Sequence, residues 1–174
     1  MKPTEEQERF TAAGLERRGW TGFLTVRDLE ASKLGEVPES PGVYAVLRPL
    51  AGAPAFLSKS AGGWFKGKDP TVAVPALEAR WVAGAELIYI GKATAGPSGR
   101  GGLRARLGLL LRYGAGKPVG HQGGRYLWQV DGSEEFLVAW QVSDAPTTEE
   151  NQLLSDFSAA FGAYPFANIA GPRA

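Results

Sequence analysis

Apolar residues along the chain repeat with two periods, which predict two kinds of element. Three short apolar runs have the length and flanking turn residues typical of strands, and they span 42–47, 86–91 and 135–140. Two longer segments place leucine or phenylalanine every three or four positions, which predicts helices with one buried face. We expect the first of these helices over 103–113 and the second, with Thr147 as N-cap, up to about 161.

The first forty residues have a weaker apolar pattern that turn residues interrupt. Thr4 begins a capping-box pattern, which predicts the start of a helix. A second short helix is expected after Thr25, with Leu29 on its buried side. We therefore predict N-terminal accessory helices over 1–40.

The remaining elements follow the order strand, strand, helix, strand, helix. This order favours an α+β domain over 41–174, with a small, mainly antiparallel central sheet of about three strands and helices on its faces. A stretch rich in glycine and proline, about 49–85, is inserted between the first two strands. A structureless loop of that length would be unusual, and 77–82 can form a short helix within it.

Composition narrows the possible chemistry. Hydrophobic residues make up 44% of the 174-residue chain, which argues against a disordered protein. The chain has no cysteine, so disulfides and thiolate metal sites are excluded, and one histidine, His121, leaves little room for an ordinary zinc site. Neither a membrane-spanning apolar run nor a signal region is present. We therefore expect no membrane partner and a cytoplasmic location.

Charge is distributed unevenly along the chain, although the net charge is only +1. The segment 92–125 contains seven basic residues and no acidic residue, whereas the rest of the chain contains 12 basic and 18 acidic residues. This asymmetry suits an anionic partner, for which phosphate groups are the usual candidate. The alternative is a solvated basic helix with basic loops.

Sequence motifs of several common enzyme classes are missing. The chain has no complete phosphate-binding loop, dinucleotide-binding fingerprint or nucleophile elbow. A Ser-His-Asp triad would have to use His121, which lies in a glycine-rich segment without such an elbow. A surface or structural role is the favoured interpretation of this histidine, and a contact with nucleic acid is the functional one.

Five short motifs occur in an order that is more specific than any one of them. Each could have a structural explanation, such as cross-strand packing of tyrosines or a helix N-terminal glutamate. In chain order they are Gly42-Val43-Tyr44, Tyr89-Ile90-Gly91 with Lys92, Leu103-Arg104-Ala105-Arg106-Leu107, Glu150-Asn151-Gln152-Leu153-Leu154, and Pro165-Phe166-Ala167-Asn168. Together they resemble the GIY-YIG nuclease family over about 41–169. Arg106 matches the family arginine best, with Arg104 as the alternative.

The resemblance implies a metal-dependent endonuclease that hydrolyses phosphodiester bonds, in DNA or alternatively in RNA. Glu150 would hold one Mg²⁺ or Mn²⁺, with Glu149 as the alternative, and Arg106 would clamp the phosphate with its planar fork. Tyr44 would act as general base and Tyr89 would orient water or phosphate, although these two roles could be exchanged. A tyrosine needs its pKa of about 10 lowered for this role, and the basic segment could lower it.

Asn168 would position Tyr89, the metal-bound water or the C-terminal backbone. Further nucleic-acid contacts are expected from basic and neighbouring residues, namely Lys92, Arg100, Arg104, Lys66, Lys68, His121 and Arg125. The insertion, the N-terminal helices or dimerisation would supply any sequence specificity.

The chain departs from the family pattern in three places. Both the gap between the tyrosine motifs and the gap from Glu150 to Asn168 are lengthened, which surface loops tolerate. In addition, Leu110 stands one turn after Arg106, where many members have tyrosine or histidine, and either Tyr113 or His121 could supply the missing group.

Two other functions compete with the nuclease. One is a nucleic-acid-binding module of the same fold with weak or no catalysis. The other is a structural or protein-interaction domain, for which the cations at 92, 104, 106 and 125 should scatter over the surface. Their convergence beside Tyr44, Tyr89 and Glu150 would argue against that last function.

Overall fold

A four-stranded antiparallel sheet forms the centre of the computed structural model, which describes residues 1–172 apart from the side chain of Gln122. In chain order the strands are β1 (Thr21–Thr25), β2 (Gly42–Leu47), β3 (Leu87–Ala93) and β4 (Leu137–Val142). They lie in the order β1-β4-β2-β3, and every adjacent pair is antiparallel. The predicted α+β class with an antiparallel sheet is therefore confirmed.

Six helices accompany the sheet in the described part of the chain. They are α1 (Glu5–Glu8), α2 (Ala12–Arg17), α3 (Val26–Ala31), α4 (Val74–Arg80), α5 (Leu103–Gly114) and α6 (Pro146–Phe161). Short 3₁₀ segments occur at Phe65–Gly67, Gln122–Gln129 and Ser133–Glu135. The capping box at Thr4 and the buried Leu29 are confirmed.

The expected number of strands, about three, is wrong because β1 lies within 1–40, where only helices were predicted. Its pairing with β4 is interrupted by a register shift between Gly22 and Leu24. Gly22 has φ +97°, and the Trp140 ring occupies the space that a Cβ there would need. The bulge removes the regular alternation that identifies a strand in sequence.

The predicted N-cap of the last helix is also wrong. The helix begins at Pro146, with Ala145 at the N-cap position and no side-chain cap hydrogen bond. Proline suits the first helical position because its φ is already helical and its missing N–H is not needed there.

The sheet is covered on both faces because successive residues of a strand point to opposite sides. Tyr44 and Val46 belong to the core cluster with α5 and α3. Val43 and Ala45 belong to the second cluster, with α2 and α6. The predicted buried residues of α6, Leu153, Leu154 and Phe157, lie in that second cluster.

The long insertion is ordered, and the buried side chain of Gln129 ties it to the domain. Its Nε2 donates to the Leu57 and Val72 carbonyls at 3.0 and 2.7 Å, and its Oε1 accepts from the Val72 N–H. Leu57 and Ala61 donate backbone hydrogen bonds to the carbonyls of Gln129 and Trp128. Satisfying a buried amide in this way fixes the path of the insertion.

No helix within residues 1–172 is both long enough and apolar enough to cross a membrane.

Candidate functional site

The two tyrosine motifs lie side by side because β2 and β3 are adjacent. Tyr44 is the register partner of Gly91, and the rings of Tyr44 and Tyr89 have their centroids 6.0 Å apart. A Cβ at position 91 would overlap the Tyr44 ring. Likewise, a Cβ at position 42 would overlap the Gln141 carbonyl oxygen of β4. Close packing therefore explains both motif glycines.

A cavity of about 350 Å³ lies at the β3 end of the sheet. Six residues selected from the sequence line it: Tyr89, Lys92, Arg106, Arg125, Glu150 and Asn168. They come from β3, α5, the Gln122–Gln129 segment, α6 and the C-terminal segment. Three of the four cations considered, at 92, 106 and 125, thus converge beside Glu150, which argues against the scatter expected of a purely structural domain, whereas Arg104 lies elsewhere.

Glu150 is the acidic group of this cavity. Its Oε2 lies 3.2 Å from Lys92 Nζ, and the Glu150 side chain is 18% exposed. Among the described residues, no group of three or more histidine, cysteine or acidic side chains is arranged to hold a metal ion. A single carboxylate facing an open cavity fits Mg²⁺ or Mn²⁺, because such ions can keep most of their shell as water and phosphate oxygens.

His121 lies buried behind the tyrosines, which agrees with the structural role among those expected for it and not with a surface position or a direct contact with nucleic acid. It is 1% exposed, and its Nε2 shares a 3.0 Å hydrogen bond with the Tyr44 hydroxyl. Burial, with a smaller contribution from the positive charge of Arg106, lowers its pKa to about 3. The ring is therefore neutral near pH 7. Its Nδ1 is buried without a hydrogen-bond partner in the described structure.

Of the two groups considered as substitutes for the residue missing at Leu110, His121 is the one that contacts Tyr44. Leu110 itself is fully buried in the core. Tyr113 packs near the far end of α5, where its ring lies against Gly62. His121, which lies outside α5, is thus the residue that contacts the tyrosine pair.

Burial dominates the ionisation of both phenols. Desolvation raises the pKa of Tyr44 and raises that of Tyr89 well above its ordinary value. Arg106 acts in the opposite direction on both groups but does not cancel the effect of burial. Positive charge, which could have lowered the pKa of these phenols, therefore acts in the expected direction but is outweighed by burial.

Asn168 attaches the C-terminal segment to the outer edge of β3. Its Oδ1 accepts from the Ile90 N–H and its Nδ2 donates to the Ile90 carbonyl, both at 2.9 Å. Arg80, which sequence analysis missed, donates to the carbonyls of Asn168 and Phe166 at 2.8 and 3.3 Å. Of the three roles expected for Asn168, positioning the C-terminal backbone agrees with these contacts.

Four of the basic residues selected from the sequence do not line this cavity. Arg104 donates to the Val37 carbonyl at 2.8 Å and to Glu39 Oε1 at 2.9 Å, so its guanidinium faces the segment between α3 and β2. Arg100 is exposed in the glycine-rich turn before α5, and Lys66 and Lys68 are exposed in the insertion. Between the two candidate arginines of α5, only Arg106 lines the cavity.

Two further residues contribute to the site although the sequence did not predict them as site residues. Asn151 follows Glu150 and lines the same cavity, and Gly123 approaches the Tyr89 hydroxyl closely enough for a Cβ to lie 3.6 Å from it. Only the position of Asn151 beside Glu150 offered a sequence signal. Arg80 and Gly123 acquire their roles from distant contacts.

Comparisons of the chain with protein-family models, with curated proteins and with solved structures found no match.

Proposed function

We propose that this chain is a GIY-YIG-type endonuclease that uses one divalent metal ion to hydrolyse phosphodiester bonds, with DNA as the preferred substrate and RNA as the alternative. One observation carries the proposal. Tyr89, Arg106 and Glu150 come from three different elements and meet in one cavity, beside the cations Lys92 and Arg125. A scissile phosphate needs such a combination of positive charge, carboxylate and hydroxyl groups.

Phosphate binding is assigned to Arg106, supported by Lys92 and Arg125. A guanidinium can donate to two phosphate oxygens at once, and its charge opposes the negative charge that builds up on those oxygens during attack. Lys92 pairs with Glu150 in the structure. A bound phosphate would share the Lys92 ammonium group with Glu150. This shared contact would place the phosphate close to the Glu150 carboxylate.

Glu150 would hold the metal ion, which would supply Lewis-acid stabilisation of the phosphate and the leaving oxygen. The described structure offers this ion one carboxylate rather than a cluster, which is in keeping with a site completed by water and substrate. Glu149, the alternative considered from the sequence, does not belong to the described cavity lining.

The tyrosine roles follow from which phenol reaches the cavity. Tyr89 lines it, whereas Tyr44 is fully buried and contacts His121. We therefore assign the contact with the attacking water to Tyr89, which exchanges the roles first expected from the family resemblance. The water oxygen forms the new bond to phosphorus as the bond to the leaving oxygen breaks. Its proton moves to Tyr89 while the Tyr89 proton moves to Tyr44 and the Tyr44 proton to His121.

The low pKa of His121 sets a condition on this transfer. Burial is the larger cause of that low value, and Arg106 adds to it by charge repulsion. A phosphate bound to Arg106 offsets the repulsion and makes the imidazole a better proton acceptor. Burial still lowers the pKa of His121, so bound phosphate restores only the part of its proton affinity that Arg106 removes.

Plasmid cleavage tests the proposal. Wild-type protein, Glu150→Gln and the matched control Glu149→Gln are purified identically and incubated with supercoiled DNA and Mg²⁺ or Mn²⁺. We expect cleavage by wild type and by Glu149→Gln, and a loss of about 100-fold or more in Glu150→Gln, because metal-ion catalysis contributes several kcal/mol. Equal cleavage by all three proteins would point to a contaminating nuclease and remove the catalytic claim.

A second function, a nucleic-acid-binding module without efficient catalysis, is favoured by one observation. Burial raises the pKa of both phenols, which makes either of them harder to deprotonate. Salt-dependent DNA binding by the wild type, with no cleavage at any metal concentration, is the result that this function predicts.

A further inference from the structure

Trp64 is the exposed member of the five tryptophans, and it lies in the insertion rather than in the cavity. Its exposure is 57%, whereas Trp20, Trp128 and Trp140 are each below 5% and Trp81 is partly buried. Single exposed apolar residues are common on protein surfaces. An exposed indole becomes informative when the surrounding backbone is fixed and the surrounding charge is of one sign.

The backbone around Trp64 is fixed by close packing. Gly63 donates to the Tyr113 carbonyl at 2.9 Å, and a Cβ at position 63 would overlap the Lys117 carbonyl oxygen. Phe65 anchors the other side, with its ring near Gly120. Lys66 adopts φ +53°, a left-handed conformation that few non-glycine residues take. Phe65, and not Trp64, therefore fastens this loop, and the indole is held outward.

The charge around Trp64 is mainly positive. Exposed lysines lie on both sides of it in the chain and in the segment packed beneath it, and they are Lys59, Lys66, Lys68 and Lys117. The segments 59–69 and 116–120 contain one acidic residue, Asp69. Its carboxylate accepts a hydrogen bond from the Thr71 N–H at 2.9 Å, and this bonding lowers its pKa. The loop thus combines an outward aromatic ring with a cationic surround.

One short segment links this loop to the cavity. Gly120 lies against Phe65, His121 contacts Tyr44, and Gly123 and Arg125 line the cavity. The loop therefore packs against the start of the segment 120–125, whose end lines the cavity, and a strand bound in the cavity would continue along this segment to the loop.

We propose that Trp64 stacks on an unpaired base of a nucleic-acid strand that flanks the cleavage site, while Lys66, Lys68 and Lys117 contact its phosphates. The inference rests on the proposed function and deepens it, because it names a substrate with a single-stranded stretch. Aromatic stacking combined with a basic surface is the usual means of binding single strands. A blunt duplex keeps its base faces stacked except at its two ends and offers Trp64 no unpaired base within its length.

Binding measured without divalent metal tests the inference separately from cleavage. The probes are a fluorescein-labelled oligonucleotide of about 20 nucleotides and a blunt duplex of the same length, titrated in EDTA and followed by anisotropy. Trp64→Ala should weaken binding of the single strand about tenfold and binding of the duplex less than about twofold. Trp64→Phe should keep most of the affinity. Leu50→Ala, at another exposed apolar residue (64%), is the matched control and should change neither probe.

Intrinsic fluorescence gives an independent measurement. The single strand should quench the emission of the wild type, and Trp64→Phe should lose most of that quenching although it still binds. Equal affinities of wild type and Trp64→Ala for the single strand would overturn the inference, as would equal losses for both probes. Wild-type protein that binds neither probe would overturn the inference, while plasmid cleavage with Mg²⁺ or Mn²⁺ would still decide the proposed function. Binding with the expected Trp64 dependence but without cleavage would overturn only the catalytic proposal.

Discussion

Two regions of the molecule share helix α5 but differ in chemistry. The cavity lies on the side of Arg106, and the groove between α3 and α5, lined by Leu29, Leu34, Arg104, Gly108 and Arg112 among others, lies on the side of Arg104. The two arginines are separated by one residue, which turns them about 200° apart around the helix axis. Arg104 is held by Val37 and Glu39, whereas Arg106 faces the tyrosines and Glu150.

The difference shows that a basic helix can present two unrelated surfaces. The groove has an apolar floor from α3, the turn after it and α5, and its cations are Lys33 of that turn and Arg104 and Arg112 of α5. The cavity collects its charges from several elements that the sheet and the C-terminal segment bring together. A count of basic residues over 92–125 cannot distinguish these surfaces, and only the direction of each side chain does so.

Exchange of each arginine for alanine gives the largest expected contrast. Arg106→Ala should lower the rate of plasmid cleavage by about 100-fold or more, because it removes a charged donor at the phosphate. Arg104→Ala should lower it less than about threefold, since its contacts are with the protein surface. Single-turnover cleavage at saturating metal measures both. Similar losses in the two variants would abolish the distinction between the two regions.

A glycine on the cavity side tests the crowding of that region. Gly91→Ala should lower the free energy of unfolding by about 2–3 kcal/mol, because the new Cβ overlaps the Tyr44 ring and the sheet must shift. Urea denaturation monitored by circular dichroism measures the change. The double variant Gly91→Ala with Tyr44→Leu should recover part of the loss if the overlap is its cause. No change in the single variant would contradict the close approach of the ring.

The buried histidine should give a smaller effect that depends on pH. Its folded-state pKa of about 3 lies below its ordinary value of 6.5, so the unfolded chain binds a proton first as the pH falls. Its stabilising effect is complete above about pH 6.5 and is lost as the pH falls towards 3. The wild type should therefore lose about 1 kcal/mol between about pH 6 and pH 5 relative to His121→Gln. Parallel stability curves for the two proteins would show that His121 is not buried as a neutral ring.

The smallest effect is expected from a glycine on the groove side. Its replacement by alanine should stabilise the protein, whereas Gly91→Ala should destabilise it. A Cβ at position 108 would lie at an ordinary 3.5 Å from Leu34 Cδ1. Gly108→Ala should therefore raise the free energy of unfolding by about 0.5–1 kcal/mol through helix propensity. Thermal and urea denaturation measure it, with cleavage unchanged as the control. Destabilisation by Gly108→Ala would mean that position 108 is as crowded as position 91.

Local patterns predicted most of the elements. The strand at 42–47 was confirmed residue for residue, and the predicted β3 and β4 each differ from the observed strands by one or two residues at their ends. The strand β1 was missed because its bulge at Gly22 breaks the alternation and because its identity depends on Trp140 of another strand. Tertiary contact, and not local preference, decides such a segment.

The candidate site likewise has features that local motifs predicted and features that depend on tertiary contacts. Tyr89, Arg106 and Glu150 could be selected because short motifs identify them, and they do share a cavity. The sequence left a surface and a structural role open for His121 and could not decide between them, because its hydrogen bond to Tyr44 joins residues 77 positions apart. The pKa of the phenols could not be inferred either, since burial depends on the complete packing of α5 and the Gln122–Gln129 segment against the sheet.

The contact between Asn168 and Ile90 has a consequence for how the protein behaves in concentrated solution. β3 is the outermost strand, and the amide of Asn168 occupies an N–H and a carbonyl that another polypeptide could otherwise pair with. Exposed strand edges promote intermolecular association. Asn168 thus protects this edge against self-assembly, in addition to lining the cavity, and its replacement by alanine should favour association between copies of the chain.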